Sequence, residues 1–408
     1  MGKRYRGAIL NPINRNDIEF FQSGFLDVDD NGRIEAVGDL GDAAEGDFEG
    51  NLLIIPAFVD IHTHLPQFDV RGTFSGNELL PWLKDYIWPE EAKCADLGHV
   101  KDIAERFYRD LIKHGTLTAG IYGTIHESAV CEMIDLMPIR GRLGKVIMDA
   151  NSPENLSETT EESLEITERL CKKYGDKHVV TPRFAPSCSF ESMKKAAEIA
   201  HKYDCFIQTH LSENKDEIAW VKELFPDAKN YTDVYYKAGL LGPKTIVGHA
   251  VHCDDDELET LKKTGTKIAH CPTSNEALKS GTMPLDKIIK FGIPFALATD
   301  VGAGPKTSML DVMRCFLNVH GSGHNGLRNS PNVSPVSALY YATLAGAEVL
   351  GYGDETGNFK KGKSADFLVL DIKVVSGEKP DEIIRKLTHE SDYDSIVKEA
   401  YLGGRKLN

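Results

Sequence analysis

His62 and His64 stand two residues apart at the end of the apolar run Ile54-Ile55-Pro56-Ala57-Phe58-Val59-Asp60-Ile61. Residues two apart on a strand point to the same side, so a strand ending here brings two imidazoles to one place. Such a pair of nitrogen donors suits a borderline cation such as zinc or iron. Other donors finish other runs of strand length. His210 follows Cys205-Phe206-Ile207-Gln208-Thr209, His249 follows Thr245-Ile246-Val247-Gly248, and Asp300 follows Pro294-Phe295-Ala296-Leu297-Ala298-Thr299. Four histidines and a carboxylate at strand ends are the makings of a metal centre.

A catalytic ion with an open position lowers the pKa of its water towards about 7, and hydrolysis follows. His62, His64, His210 and Asp300 are read as the ligands of one divalent ion, Zn2+ or else Fe2+, with Asp300 also accepting the proton of the attacking water. His249 is either a ligand in a two-metal site or the group that holds the attacking oxygen. A two-metal site usually needs a bridging carboxylate or a modified lysine. The fourth strand ends at Arg183 instead, which favours one ion. Glu213, just past His210, can carry protons between water, ring nitrogen and leaving group. Its alternative role is to cap a helix opening near Asn214. His126 and His270 also end strands, although His270 with Ser274 and Asn275 reads as a loop brace. Cys271 lies beside the site without being an activated nucleophile, since hydroxide would fill that role.

These residues need a scaffold, and strand and helix patterns alternate between residues 58 and 354. Strands are expected at 54–64, 115–122, 145–150, 179–184, 205–210, 245–249, 266–270 and 294–300, with helices over 100–113, 161–173 and 190–203. Eight βα repeats predict a TIM (β/α)8 barrel, which carries its chemistry at the C-terminal strand ends. Short β runs occupy residues 3–57, where Asp29-Asp30-Asn31-Gly32 signals a hairpin, and recur at 365–370 and 397–402. They predict a small β-sandwich domain formed from both termini, 1–57 and 355–408, around a barrel of 58–354.

The chain has 408 residues, 41% of them hydrophobic and 27% charged, enough for one barrel and an accessory domain. Lys plus Arg number 47 against 62 Asp plus Glu, and the net charge of -15 argues against nucleic acid or an anionic membrane as partner. The eight cysteines are scattered, with no Cys-x-x-Cys, which fits free thiols in the reducing cytoplasm. No apolar run reaches membrane-spanning length. Arg6 stands where a myristoylation signal wants Ser or Thr.

His62-Thr63-His64, His210-x-x-Glu213, His249 and Thr299-Asp300 together resemble the amidohydrolase superfamily, whose members join a metal-bearing TIM barrel to a β-sandwich built from both termini. Within it the resemblance is to the guanine deaminases. It rests on Leu65-Pro66-Gln67-Phe68, Lys145-Val146-Ile147-Met148-Asp149, Glu158-Thr159-Thr160-Glu161-Glu162-Ser163 and Val180-Thr181-Pro182-Arg183-Phe184. Ser187-Cys188-Ser189, His210-Leu211-Ser212-Glu213-Asn214, His270-Cys271-Pro272-x-Ser274-Asn275 and Ser308-Met309-Leu310-Asp311 extend it over residues 50 to 350. The resemblance implies hydrolytic deamination of guanine to xanthine and ammonia, a homodimer, and Gln67, Arg183 and Phe184 as substrate contacts.

Those contacts suit a flat, polar purine. Gln67 offers an acceptor and donors, and Arg183 a planar fork of donors. Phe184, with Trp82 or Phe68, supplies a stacking face. Arg183 could instead pair with an acid across the barrel mouth. The segment Phe74–Lys93, with Trp82 and Trp88, is a candidate cover. Two positions depart from the pattern: Ala303 interrupts a pair of glycines after Asp300, and Phe68 stands where Tyr is common. A deaminase of a related heterocycle, such as a pterin or another aminopurine, is the alternative enzyme, and a non-catalytic scaffold the alternative outside enzymes.

Overall fold

The computed structural model describes residues 2–41, 52–73, 78–321 and 330–408. The chain forms two compact units, one of Met1–Ile61, Arg109–Thr118 and Thr307–Asn408, the other of His62–Tyr108 and Ala119–Lys306.

In chain order, β1 (Lys3–Pro12), β2 (Ile18–Val28), β3 (Ile34–Asp39) and β4 (Leu52–Pro56) come first. Then follow β5 (Phe58–His64), β6 (Thr116–Tyr122), β7 (Arg140–Gly144), β8 (Val146–Ile147) and β9 (Val179–Pro182). The series continues with β10 (Phe206–Leu211), β11 (Thr245–His249), β12 (Lys267–His270) and β13 (Phe295–Leu297). β14 (Phe367–Asp371), β15 (Val397–Leu402) and β16 (Arg405–Lys406) end the chain.

In the first unit the strands from both termini share one seven-stranded sheet, in the order β16-β15-β14-β4-β1-β2-β3. The sequence led us to expect two facing halves. They are joined instead, because β4 pairs in parallel with β1 on one side and antiparallel with β14 on the other. The runs Glu19–Phe21 and Gly24–Val28 belong to a single strand, β2, whose Gly24, Leu26 and Val28 are buried while Phe25 and Asp27 are partly so. That period of two gives the sheet one face for a core. The sheet bends enough for Arg33 to bridge Ser364, and Ile9, Leu26, Ile34, Phe359, Phe367 and Val369 share one cluster.

In the second unit β8 to β13 form a six-stranded sheet in the order β13-β12-β11-β10-β9-β8, and all its described pairings are parallel. β5, β6 and β7 form a separate three-stranded sheet. Every residue of β9 and β11 is buried, the continuous apolar reading of parallel strands covered on both faces. The covering helices start where the sequence supplies caps. Thr159 with Glu162, Asn214 with Glu217 and Asp254 with Glu257 make capping boxes for Thr160–Tyr174, Lys215–Leu224 and Asp255–Thr264.

The third strand differs from expectation. It runs Arg140–Gly144 and resumes at Val146–Ile147, and residues 148–150 leave the ladder. Asp149 has other partners there. Its amide donates to Ser187 O at 3.1 Å, and its carboxylate accepts from Ser189, Ser192 and Thr160.

Candidate metal centre and adjoining cavity

The second unit brings the ends of β5, β10 and β11 and the residues after β13 to one place. Asp300 N donates to His62 O at 2.8 Å, and His64 N donates to Val301 O at 2.7 Å. His249, Ala250 and Asp300 have φ of 70, 50 and 51°, a left-handed conformation costly for residues with a Cβ and typical of functional sites. Gly248 is required beside them, since a Cβ there would lie 2.8 Å from Cε1 of His62.

The Nε2 atoms of His62 and His64 are 3.3 Å apart, as are those of His64 and His210. Asp300 Oδ1 lies 3.1 Å from Nε2 of His62 and 3.2 Å from Nε2 of His64. One donor atom from each of these four residues falls within 4.8 Å of the others. Neutral imidazoles cannot all satisfy one another at such spacing, since each ring has one donor and one acceptor. A cation among them can use every lone pair. Burial depresses the basicity of His64, to about 4, and that of His210 well below its ordinary value, the neutral form a metal ligand needs. Burial would raise the Asp300 carboxyl, but hydrogen bonds from His62 and His64 outweigh it and hold that group well below its usual range. His210 Nδ1 donates to Arg183 O at 2.7 Å, which fixes the tautomer that aims Nε2 at the centre. The residues therefore fit one divalent ion.

Tyr122 forms the floor, a part sequence reading missed. Its ring lies 4.6, 4.5 and 4.9 Å from those of His62, His64 and His210, so it limits where the three imidazoles can go.

His249 is 3.4 Å from Glu213 Oε2 and 3.7 Å from Asp300 Oδ2 through Nε2, which has no hydrogen-bond partner. Its Nδ1 bonds Asn275 Oδ1 at 2.9 Å, so the Asn275 side chain orients His249. A second donor group, His62, His249, Cys271 and Asp300, shares two residues with the first. Glu213 does not cap the next helix. Asn214 does, with Glu217 reaching back to the amides of Glu213 and Asn214. Glu213 is left to face inward, its Oε1 accepting from Ser280 Oγ at 3.1 Å. Burial, then the charge of Asp300, pushes its carboxyl up to about 8.

These groups open on a cavity enclosing about 410 Å3 of non-atom space, its mouth included. Beyond His64, His210, Glu213, His249 and Asp300, the lining includes Gln67, Trp82, Arg183, Phe184 and Ala303. Phe68 is not part of it. Its ring packs against Phe107 at 5.7 Å and under the Arg71 guanidinium at 3.8 Å, which corrects the stacking role considered for it. His126 and His270 do not line the cavity either. Arg183 does pair with an acid, Glu91, while still facing the cavity. Of the candidate cover, residues 74–77 lie outside the described residues, whereas Leu79, Trp82 and Leu83 line the space. The departure at Ala303 leaves Gly302 in place, and its amide donates to Gln67 Oε1 at 3.1 Å.

Comparison with known proteins agrees with this geometry. Residues 53–404 match the amidohydrolase family. Guanine deaminase of Escherichia coli strain K12 is 39% identical over 334 residues, 80% of this chain and 74% of that protein. Guanine deaminase of Dictyostelium discoideum is 32% identical over 441 aligned positions, 99% of this chain and 98% of that protein. Among solved structures, guanine deaminase from C. acetobutylicum with bound guanine in the active site superposes with a TM-score of 0.88 at 31% identity, over 100% of both chains. The chain belongs to the amidohydrolase family, in the branch that holds the guanine deaminases.

Proposed function

We propose that this protein is a metal-dependent aminohydrolase that converts guanine and water to xanthine and ammonia. One observation carries the reading: His64, His210 and Asp300 of the donor set, Glu213 with its raised carboxyl, and the pair Gln67 and Arg183 line a single cavity. Its relatives with this architecture act on guanine by name.

His62, His64, His210 and Asp300 would hold a divalent cation, zinc or iron by donor type, which would supply Lewis-acid polarisation and lower the pKa of the attacking water. The side chains account for the remaining steps. Asp300 accepts the proton of the attacking water. Glu213 delivers its proton to a ring nitrogen next to C2 and then relays the proton of the new C2 hydroxyl to the departing amine, so that C2=O forms as the C2–N bond breaks and ammonia leaves; the proton taken by Asp300 returns to Glu213. His249, held by donating its Nδ1–H to Asn275 Oδ1, turns the lone pair of Nε2 to the incoming water and holds the attacking oxygen by accepting from it. Arg183 donates to the carbonyl edge of the base, Gln67 reads the adjoining edge, and Phe184 and Trp82 sandwich the ring.

In this reading residues 58–354 form a (β/α)8 barrel. Residues 1–57 and 355–408 make the β domain. All eight cysteines are free thiols, in keeping with a cytoplasmic enzyme, and no helix among the described residues is long and apolar enough to cross a membrane. The assembly implied by the resemblance is a homodimer. Purified, metal-loaded protein incubated with guanine should release xanthine and ammonia in equal amounts. Activity on a pterin or another aminopurine, with guanine left unchanged, would overturn the substrate assignment.

A further inference from the structure

Glu91 ends the short helical turn Trp88–Glu91 and is 2% exposed. Its Oε1 accepts from Gln67 Nε2 at 2.8 Å, and its Oε2 pairs with Arg183 Nη1. Gln67 and Arg183 line the cavity, whereas Glu91 does not. One hidden carboxylate therefore ties together both side chains assigned to the base edge.

The tie has two physical effects. Gln67 is held at both ends, since Gly302 N donates to its Oε1 at 3.1 Å. The amide cannot flip, and one N–H and one carbonyl lone pair stay for a ligand. Arg183 commits Nη1 to Glu91, with Met148 Sδ at 3.7 Å, and keeps Nη2 and Nε for a ligand. The second effect is charge. Arg183 is 3% exposed, and an unpaired guanidinium there would draw any anion small enough to enter. With Glu91 beside it that wall is neutral.

We infer that Glu91 is a positioning residue that sets specificity: it aims Gln67 and Arg183 and cancels the charge of Arg183, so that the cavity favours a neutral oxopurine over its anion. The inference deepens the function proposed above and rests on it. Replacing the amino group of guanine by a carbonyl creates an N–H between two carbonyls, which is more acidic than any in the substrate. Xanthine therefore ionises more readily than guanine, and a neutral wall helps the product leave.

The test compares the wild type with Glu91→Gln and Glu91→Asp, each metal-loaded, by steady-state turnover of guanine and inhibition by xanthine at pH 6.5 and pH 8.5. For Glu91→Gln, KM for guanine should rise about ten- to hundred-fold, the scale of one buried charged hydrogen bond, with kcat within about threefold. Xanthine should inhibit more tightly than it does the wild type, and the gain should grow with pH as more of it ionises. Glu91→Asp, which keeps the charge, should recover part of KM and lose the tighter inhibition, and it serves if Glu91→Gln does not fold. A purely structural role would weaken guanine and xanthine binding by a common factor at both pH values. That result, or unchanged constants, overturns the inference while leaving guanine turnover by the wild type intact. A wild type that leaves guanine untouched overturns the function itself, and the role of Glu91 with it.

Discussion

Replacing Glu213 by Gln removes one transferable proton and little else. The carboxyl is buried with Ser280 on one oxygen and His249 at 3.4 Å from the other, and burial, assisted by Asp300, holds it at about 8. A carboxyl raised in this way keeps its proton more readily near neutral pH, with one O–H to give to a ring nitrogen. Gln has nearly the same shape and keeps an acceptor for Ser280, but its N–H does not transfer. General acid–base catalysis of this kind contributes about 10^2- to 10^4-fold, equivalent to about 2.7–5.4 kcal/mol of barrier. The expected result for Glu213→Gln is a fall in kcat of that size with the metal content of the wild type, since Glu213 is outside the four-residue donor set. Stopped-time ammonia assays beside elemental analysis measure both. Turnover within about tenfold of the wild type would refute the proton-shuttle role, and loss of the ion would make Glu213 a ligand, contrary to the geometry.

The same variant makes a stability prediction. A carboxyl raised to about 8 by folding keeps a proton that the unfolded chain gives up near pH 4.5, so the folded state loses stability as pH rises between those values. With the ion chelated, so that its charge does not offset the effect, Glu213→Gln should melt at a higher temperature than the wild type. The difference should grow from pH 5 to pH 8 and then level off; a difference independent of pH contradicts the shift. Asp149 has the opposite sign. Burial would raise its carboxyl, but hydrogen bonds from Ser189, Thr160 and Ser192 hold it below the usual range, so it stabilises above the unfolded pKa and loses this as pH falls through the folded one. Asp149→Asn should cost about 1–3 kcal/mol in urea unfolding at pH 7 and progressively less below about pH 4.

The clustering of His62, His64, His210 and Asp300 was legible because each follows an apolar run, and a strand period of two says which side a residue faces. The same logic placed β9 to β13 to within a few residues. It failed at the third strand, where Arg140-Gly141-Arg142-Leu143-Gly144 carries charge and glycine in place of an apolar run. There a Cβ at Gly141 would lie 2.4 Å from Ala119 O, and that close approach is invisible in a local pattern. Glu91 was missed for a related reason. It lies 92 residues from Arg183 in the segment read as a candidate cover, and only tertiary packing makes it a buried partner. Tyr122 read as the end of a strand, with nothing local to connect its ring to His62, His64 and His210. Phe68 followed the histidines closely enough to suggest the cavity, but the helical turn Leu65–Val70 aims it at Phe107. The two β halves gave β1, β3, β14 and β15 but not β4, which read as part of the run to His64, and the pairing of β4 with β14 spans more than 300 residues and leaves no trace in either half alone.

The most direct measurement is ammonia release from guanine as a divalent cation is titrated back into chelated protein. Turnover should be absent without the ion and rise linearly to a plateau at one ion per chain. Full turnover in chelated protein, or a plateau reached only at two ions per chain, would contradict a single centre built from His62, His64, His210 and Asp300.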